Sequence, residues 1–127
     1  MRVHYRKLIC DPRRACFVAA FAMTIVVVLA GALPSAAQAL SNQWHWPVHL
    51  AAFTVLAAAW ACSLPRIPSL IVTLTIMVFA FVHEAIEIVG HSHGYEMGDV
   101  TVDAAGVIAG VWFARVLMNW RRPTPCA

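Results

Sequence analysis

Apolar positions fall into four long runs, at about 15–33, 48–64, 67–89 and 102–120. Each is about 17–23 residues long, the length a helix rising 1.5 Å per residue needs to cross a hydrocarbon core about 30 Å thick. None of the runs alternates polar and apolar residues as a half-buried strand would. Prolines punctuate the gaps: Pro34 and Pro47 bracket the first, and Pro65 and Pro68 make the second a tight turn. The pattern predicts an all-α transmembrane bundle of four helices over 15–120. A basic segment, 1–14, precedes it and a short tail, 121–127, follows.

Composition strengthens this reading. Of the 127 residues, 61% are hydrophobic and 12% charged. A soluble domain of this size has no interior large enough to hide so much apolar surface, so the lipid bilayer is its solvent and first partner. The net charge of +3 is distributed as a topology signal. Arg2, Arg6, Lys7, Arg13 and Arg14 precede the first run, Arg66 sits in the tight turn, and Arg115, Arg121 and Arg122 close the fourth run. An even number of spans puts all nine on one side, and the excess of cations makes that side, with both termini, cytoplasmic. Glu84, Glu87, Glu96, Asp99 and Asp103 then fall at the outer face. Trp44 and Trp46 mark the outer boundary, and Trp60 and Trp120 the inner one. Cys10, Cys16, Cys62 and Cys126 lie toward the reducing side without C-x-x-C spacing, which points to free thiols. The expected location is the inner, cytoplasmic membrane of a bacterium. A second reading of the first run is a secretory signal, with Arg13-Arg14 before it and Ala37-Gln38-Ala39 as a cleavage site that would remove residues 1–39. The length of the run and the span that follows it favour a retained helix.

Candidate chemistry gathers at the outer ends of the second, third and fourth helices. Thr73, Met77, Ala80, Glu84 and Glu87 recur at helical spacing and share one face. Glu84 lies roughly 25 Å along its helix, inside the outer quarter of the core, where a carboxylate is a functional candidate by default. Asp99, Asp103, Gly106 and Gly110 form one stripe: two carboxylates, with Asp99 at an N-cap position, above a G-x-x-x-G that suits close helix packing. His45 and His49 are four apart, His83 is one turn before Glu87, and His91 and His93 fall in the outer loop. This density of histidine and carboxylate suits a metal site or a proton relay, with His49, Glu84, Glu87 and Asp103 as candidate ligands. The plainer reading treats His45 as an interfacial ring among tryptophans, His91 and His93 as solvated loop residues, and Glu84 as a structural partner of His49 or of a polar residue on the fourth helix.

The segment from about Pro47 to Leu117 resembles the VanZ-like family of small multi-pass membrane proteins. The family's opening histidine and phenylalanine, four apart, are His49 and Phe53 here. Its glutamate, second aspartate and glycine correspond at matching spacing to Glu84, Asp99 and Gly106. Glu87 stands for a glutamine, His93 for an arginine, Glu96 for the first aspartate and Asp103 for an asparagine. The outer cluster is therefore more anionic than the family pattern, and it lacks the fixed bidentate cation an arginine would supply. The resemblance implies a bacterial envelope protein of undefined molecular activity, related by name to teicoplanin susceptibility.

Three functions follow as expectations. The first is a VanZ-like protein acting at the outer leaflet on envelope lipid or glycopeptide access, through a polar site of His49, Glu84 and Asp99. The second is a metal-dependent membrane enzyme. The third is a non-catalytic subunit or transporter component, with Gly106 and Gly110 available for a homo-oligomer or a membrane partner. No P-loop, dinucleotide-binding glycine run, Ser-His-Asp set or nucleic-acid patch is present.

Overall fold

A computed structural model of the chain describes residues 12–35, 42–91 and 97–120. They form four helices: α1 Pro12–Ala32, α2 Asn42–Ser63, α3 Ser69–His91 and α4 Met97–Trp120. No strand occurs among the described residues. All four helices are long and apolar enough to cross a membrane, and the chain is a multi-pass membrane protein. The helix starts correct the sequence-based boundaries. Helix α2 begins before Pro47, which lies inside it rather than in the loop. The amide that Pro47 lacks would have bonded back to the carbonyl of Gln43, at the exposed first turn, where the loss costs least. Helix α4 likewise begins before Asp99, so Asp99 sits in the first turn rather than at the N-cap. Helix α3 extends through His91, whose backbone is therefore helical. Pro12 opens α1, a position where a missing amide costs nothing.

The helices run alternately up and down, but sequence neighbours are not always packed neighbours. Helix α2 makes its most extensive contact with α4, while α2 and α3, joined by the tight turn, touch only lightly. Helix α1 packs on α2 and α3, and α3 on α4, so the cyclic order is α1–α2–α4–α3. Helices α2 and α4 run parallel, in an unbroken register of pairs: His45 with Asp99, His49 with Asp103, Leu50 and Thr54 with Gly106, and Thr54 and Ala58 with Gly110.

Parallel helices come this close because α4 presents glycine. A Cβ on Gly106 would lie 2.8 Å from the Leu50 carbonyl oxygen, and one on Gly110 would overlap the carbonyl oxygen of Thr54. The G-x-x-x-G stripe is thus occupied by α2 of the same chain. Small residues fill the rest of the interior: Ala20, Ala57, Ala61, Ala80 and Ala114 are buried, with Phe53 and Leu56 the largest fully buried apolar side chains. Large side chains such as Phe21, Ile25, Leu74, Val78, Trp112 and Phe113 point outward. That inside-out distribution suits helices packed in lipid, where close backbone approach replaces the hydrophobic effect.

The two ends differ in charge. At one end Arg115 reaches from α4 to cap α2 and its turn, donating to the carbonyls of Pro65 at 3.1 Å, Leu64 at 3.3 Å and Ile67 at 2.6 Å. These carbonyls belong to the turn that follows Ser63, the last residue of α2, so the guanidinium pins the turn to α4. Arg66 lies in the same turn, and the Phe17–Trp60 ring contact brings the start of α1, with Arg13 and Arg14, to this end. The half-buried thiols Cys16 and Cys62 are here too, unlinked. The described carboxylates Glu84, Glu87, Asp99 and Asp103 are at the opposite end.

The glycine contact is open to a direct test. Alanine in a helix is favoured over glycine by about 1 kcal/mol, so Gly→Ala stabilises wherever space exists. Gly110→Ala is expected to lower the melting temperature of the detergent-solubilised protein, because overpacking against backbone costs about 1–3 kcal/mol. Gly98→Ala meets only the exposed Trp46 ring at 3.3 Å and is expected to be neutral or slightly stabilising. A Gly110→Ala protein melting at or above wild type would contradict the close approach.

Candidate functional site

The polar end is built on two rungs between α2 and α4. His45 Nε2 lies 2.9 Å from Asp99 Oδ2, and His49 Nδ1 lies 3.0 Å from Asp103 Oδ1. Each pair is separated by 54 residues. Both partners advance by one helical turn, so the same register that seats the glycines stacks the rungs. The rungs are graded in depth. The His45 side chain is 29% exposed, whereas those of His49 and Asp103 are 7% and 1% exposed. Counted from the helix starts, His49 and Asp103 sit about 9–11 Å in.

With ionised carboxylates as acceptors, the ring N–H groups donate in both rungs. For His49, Nδ1–H is held by Asp103 and Nε2 faces α3; in the neutral ring Nε2 carries a lone pair there, and in the imidazolium it carries a second N–H. There it meets His83 and Glu87, a pair one turn apart on α3. His49 Nε2 is 3.7 Å from Glu87 Oε1, and His83 Nε2 is 3.4 Å from the same oxygen. Helix α1 closes this side, since a Cβ on Gly31 would stand 2.7 Å from His83 Cε1 and 3.1 Å from Glu87 Cγ. Beneath lies an aromatic floor. Phe79 stacks on His83 with ring centroids 6.4 Å apart, and Phe53, 1% exposed, lies 5.6 Å from His83. The floor separates the polar centre from the alanine-rich interior below.

Three trios of ligand atoms, each within 4.8 Å of one another, overlap at this centre: His45, His49 and Asp99; His49, His83 and Glu87; and Glu84, Glu87 and Asp99. Asp99 Oδ1 is buried and has no hydrogen-bond partner among the described residues. The predicted residues His49, Glu84 and Asp99 therefore share two overlapping clusters rather than one. The direct partners of His49 are Asp103 and Glu87. Of the four candidate ligands, His49, Glu84 and Glu87 belong to trios, while Asp103 lies behind His49 and orients it. Phe53 forms the floor, and Gly106 and Gly110 hold α4 against α2 below the rungs. His93 and Glu96 lie outside the described residues, as do Ala37-Gln38-Ala39 and the cysteines Cys10 and Cys126.

Two members of the centre, His45 and His83, were not among the sequence-based site residues. His45 was legible in one respect: H-x-x-x-H at 45–49 repeats the spacing of D-x-x-x-D at 99–103, so two parallel helices could pair them twice. Only the parallel α2–α4 contact turns that coincidence into rungs. His83 carried the signal of an i, i+4 partner in Glu87.

Fold and site together define a four-helix multi-pass membrane protein with a buried histidine–carboxylate centre at one end. No protein-family model, curated protein or solved structure matches the chain.

The two rungs should differ in energy. Removing one partner of a buried hydrogen bond costs about 1–3 kcal/mol, and residues in direct contact couple by about 0.5–3 kcal/mol. Double-mutant cycles on His49/Asp103 and His45/Asp99, read by melting in detergent, are expected to give a positive coupling in both pairs and the larger one for the deeper rung. Zero coupling between His49 and Asp103 would exclude the rung.

Proposed function

We propose that the polar end is a divalent-metal centre of a metal-dependent membrane enzyme, with His49, His83 and Glu87 as protein ligands and Asp103 as the residue that orients His49. The observation that carries this is the trio of His49 Nε2, His83 Nε2 and Glu87 Oε1, with the glutamate oxygen 3.7 Å and 3.4 Å from the two ring nitrogens. Ligands bound to zinc at about 2.0–2.2 Å in a tetrahedron stand about 3.3–3.6 Å from each other. Small side-chain shifts therefore complete the site. Two histidines and a glutamate leave a fourth position open, the arrangement of catalytic rather than structural zinc. The His49–Asp103 rung supplies the outer-sphere carboxylate that metal-ligating histidines characteristically have. Charge balance favours the same reading. Four carboxylates against three histidines leave one net negative charge even with every group ionised, and a buried excess of that kind calls for a cation or for protons. When bound, the metal would lower the pKa of a coordinated water and supply a nucleophile. Glu84, grouped with Glu87 in the adjoining trio, would be the base for its proton.

The wider setting is part of the proposal. Arg13, Arg14, Arg66 and Arg115 at the opposite end support an orientation with that end cytoplasmic, which puts the centre at the outer leaflet. The VanZ-like spacing supports a bacterial inner-membrane protein and a substrate drawn from envelope lipid or its glycan precursors.

Protein purified with any histidine tag removed is expected to contain near-stoichiometric metal by elemental mass spectrometry, and zinc added to stripped protein is expected to raise its melting temperature. His49→Ala and His83→Ala should abolish retention. Asp103→Asn should weaken it by about 10–100-fold without abolishing it. Metal-free protein whose melting is indifferent to zinc, manganese and iron would overturn the proposal.

A further inference from the structure

The opposite end of the bundle holds a feature that the metal centre does not use. A cavity of about 300 Å³ lies between α2 and α3, with Thr24 of α1 on its wall. It exists because the two helices joined by the tight turn hardly touch: α2 is drawn to α4 by the glycines, and α3 is left apart at this end.

The chemistry of the wall limits what can fill the space. Most of the lining is hydrocarbon, including the buried Leu56 and Ile76, with the ring of Phe79 at one side. The three lining residues with polar side-chain groups are already satisfied within the protein. Trp60 Nε1 donates to Thr24 Oγ1 at 3.2 Å, Thr24 Oγ1 donates to the Ala20 carbonyl at 2.8 Å, and Thr75 Oγ1 donates to the Ile71 carbonyl at 2.9 Å. With the donors of these groups already used within the protein, a polar ligand would lose its water with little replacement, and a hydrocarbon chain would lose nothing. The rim is cationic. Leu64 and Ile67 line the cavity and also close the tight turn through an Ile67 N–H to Leu64 carbonyl bond at 3.1 Å, and between them stands the exposed Arg66. Arg13 and Arg14 begin α1 at the same end, and every described carboxylate is at the other.

We propose that this cavity is a binding site for one anionic phospholipid, whose acyl chain enters between α2 and α3 and whose phosphate is held at Arg66. An apolar chamber with a basic rim discriminates by headgroup, unlike the general annulus of lipid around a membrane helix. The site is distinct from the metal centre: it shares none of the proposed ligands, and Phe79, whose ring meets His83 on one side, is the wall between the two.

The test uses Trp60, which lines the cavity, as reporter. The protein is placed in phosphatidylcholine vesicles containing increasing amounts of phosphatidylglycerol with brominated acyl chains, or of brominated phosphatidylcholine. The difference in quenching between wild type and Trp60→Phe isolates Trp60 from the other tryptophans. Saturable Trp60 quenching that favours the brominated phosphatidylglycerol is expected. Arg66→Gln, in an exposed turn, should lower that preference about fivefold, the share expected of one arginine near a membrane surface. Ile76→Trp should remove saturable phosphatidylglycerol binding, measured as co-purified phosphatidylglycerol, by filling the chamber; Ile76→Val should preserve it. Equal quenching by both lipids, absence of quenching, or a preference unchanged in Arg66→Gln would overturn the proposal.

Discussion

The structure depends on the close parallel approach of α2 and α4. In lipid, apolar side chains gain nothing by leaving one hydrocarbon for another, so helices associate through close backbone packing and a few polar contacts. Gly106 and Gly110 allow the first, and His45–Asp99 and His49–Asp103 supply the second. Both act in one register, and each reinforces the other. The glycines bring the helices near enough for two rungs to form, and the rungs prevent the helices from sliding by a turn. A slip of four residues would set His49 opposite Asp99 and leave Asp103 buried without its partner, a loss large beside the modest packing energies available in a bilayer.

That contact also divides the molecule into two chemically different ends. At one end it holds His49 so that Nε2 faces His83 and Glu87 across the bundle, over a floor of Phe53 and Phe79. At the other, with α2 committed to α4, α2 and α3 diverge above their short turn and leave an apolar space rimmed by Arg66. The same arrangement thus creates a polar centre suited to a cation and an apolar chamber suited to a lipid chain. Arg115 stabilises the second end by capping the carbonyls from which α2 turns into α3.

Most of the fold was legible in the sequence, because a span is defined by length and hydropathy and four runs satisfy both. The helix starts were not. Pro47 reads as a boundary, and residues 97–101 read as loop, yet both lie inside helices that begin ahead of the apolar run. The carboxylates of the site were legible because ionisable groups are costly in a membrane and stand out against the apolar background. Their pairing was not. Helical spacing says that Glu84 and Glu87 share a face, but not that Asp103 would take His49 or that His83 would complete a trio with it. Those facts depend on which helices are neighbours. The order α1–α2–α4–α3, with α2 and α4 parallel, is set by where glycine permits approach and is not a property of any single run. A ring between Trp44 and Trp46, as His45 is, is ordinary at an interface, and its match to Asp99 is visible only across that contact.

X-ray absorption at the zinc edge of zinc-loaded, tag-free protein addresses the central assignment most directly. Two imidazoles and a carboxylate should appear as a mixed nitrogen and oxygen shell at about 2.0–2.2 Å with the multiple scattering of histidine rings. His83→Ala should eliminate bound zinc. A shell without imidazole scattering, or one unchanged by His83→Ala, would contradict the assignment of His49, His83 and Glu87 as the metal's ligands.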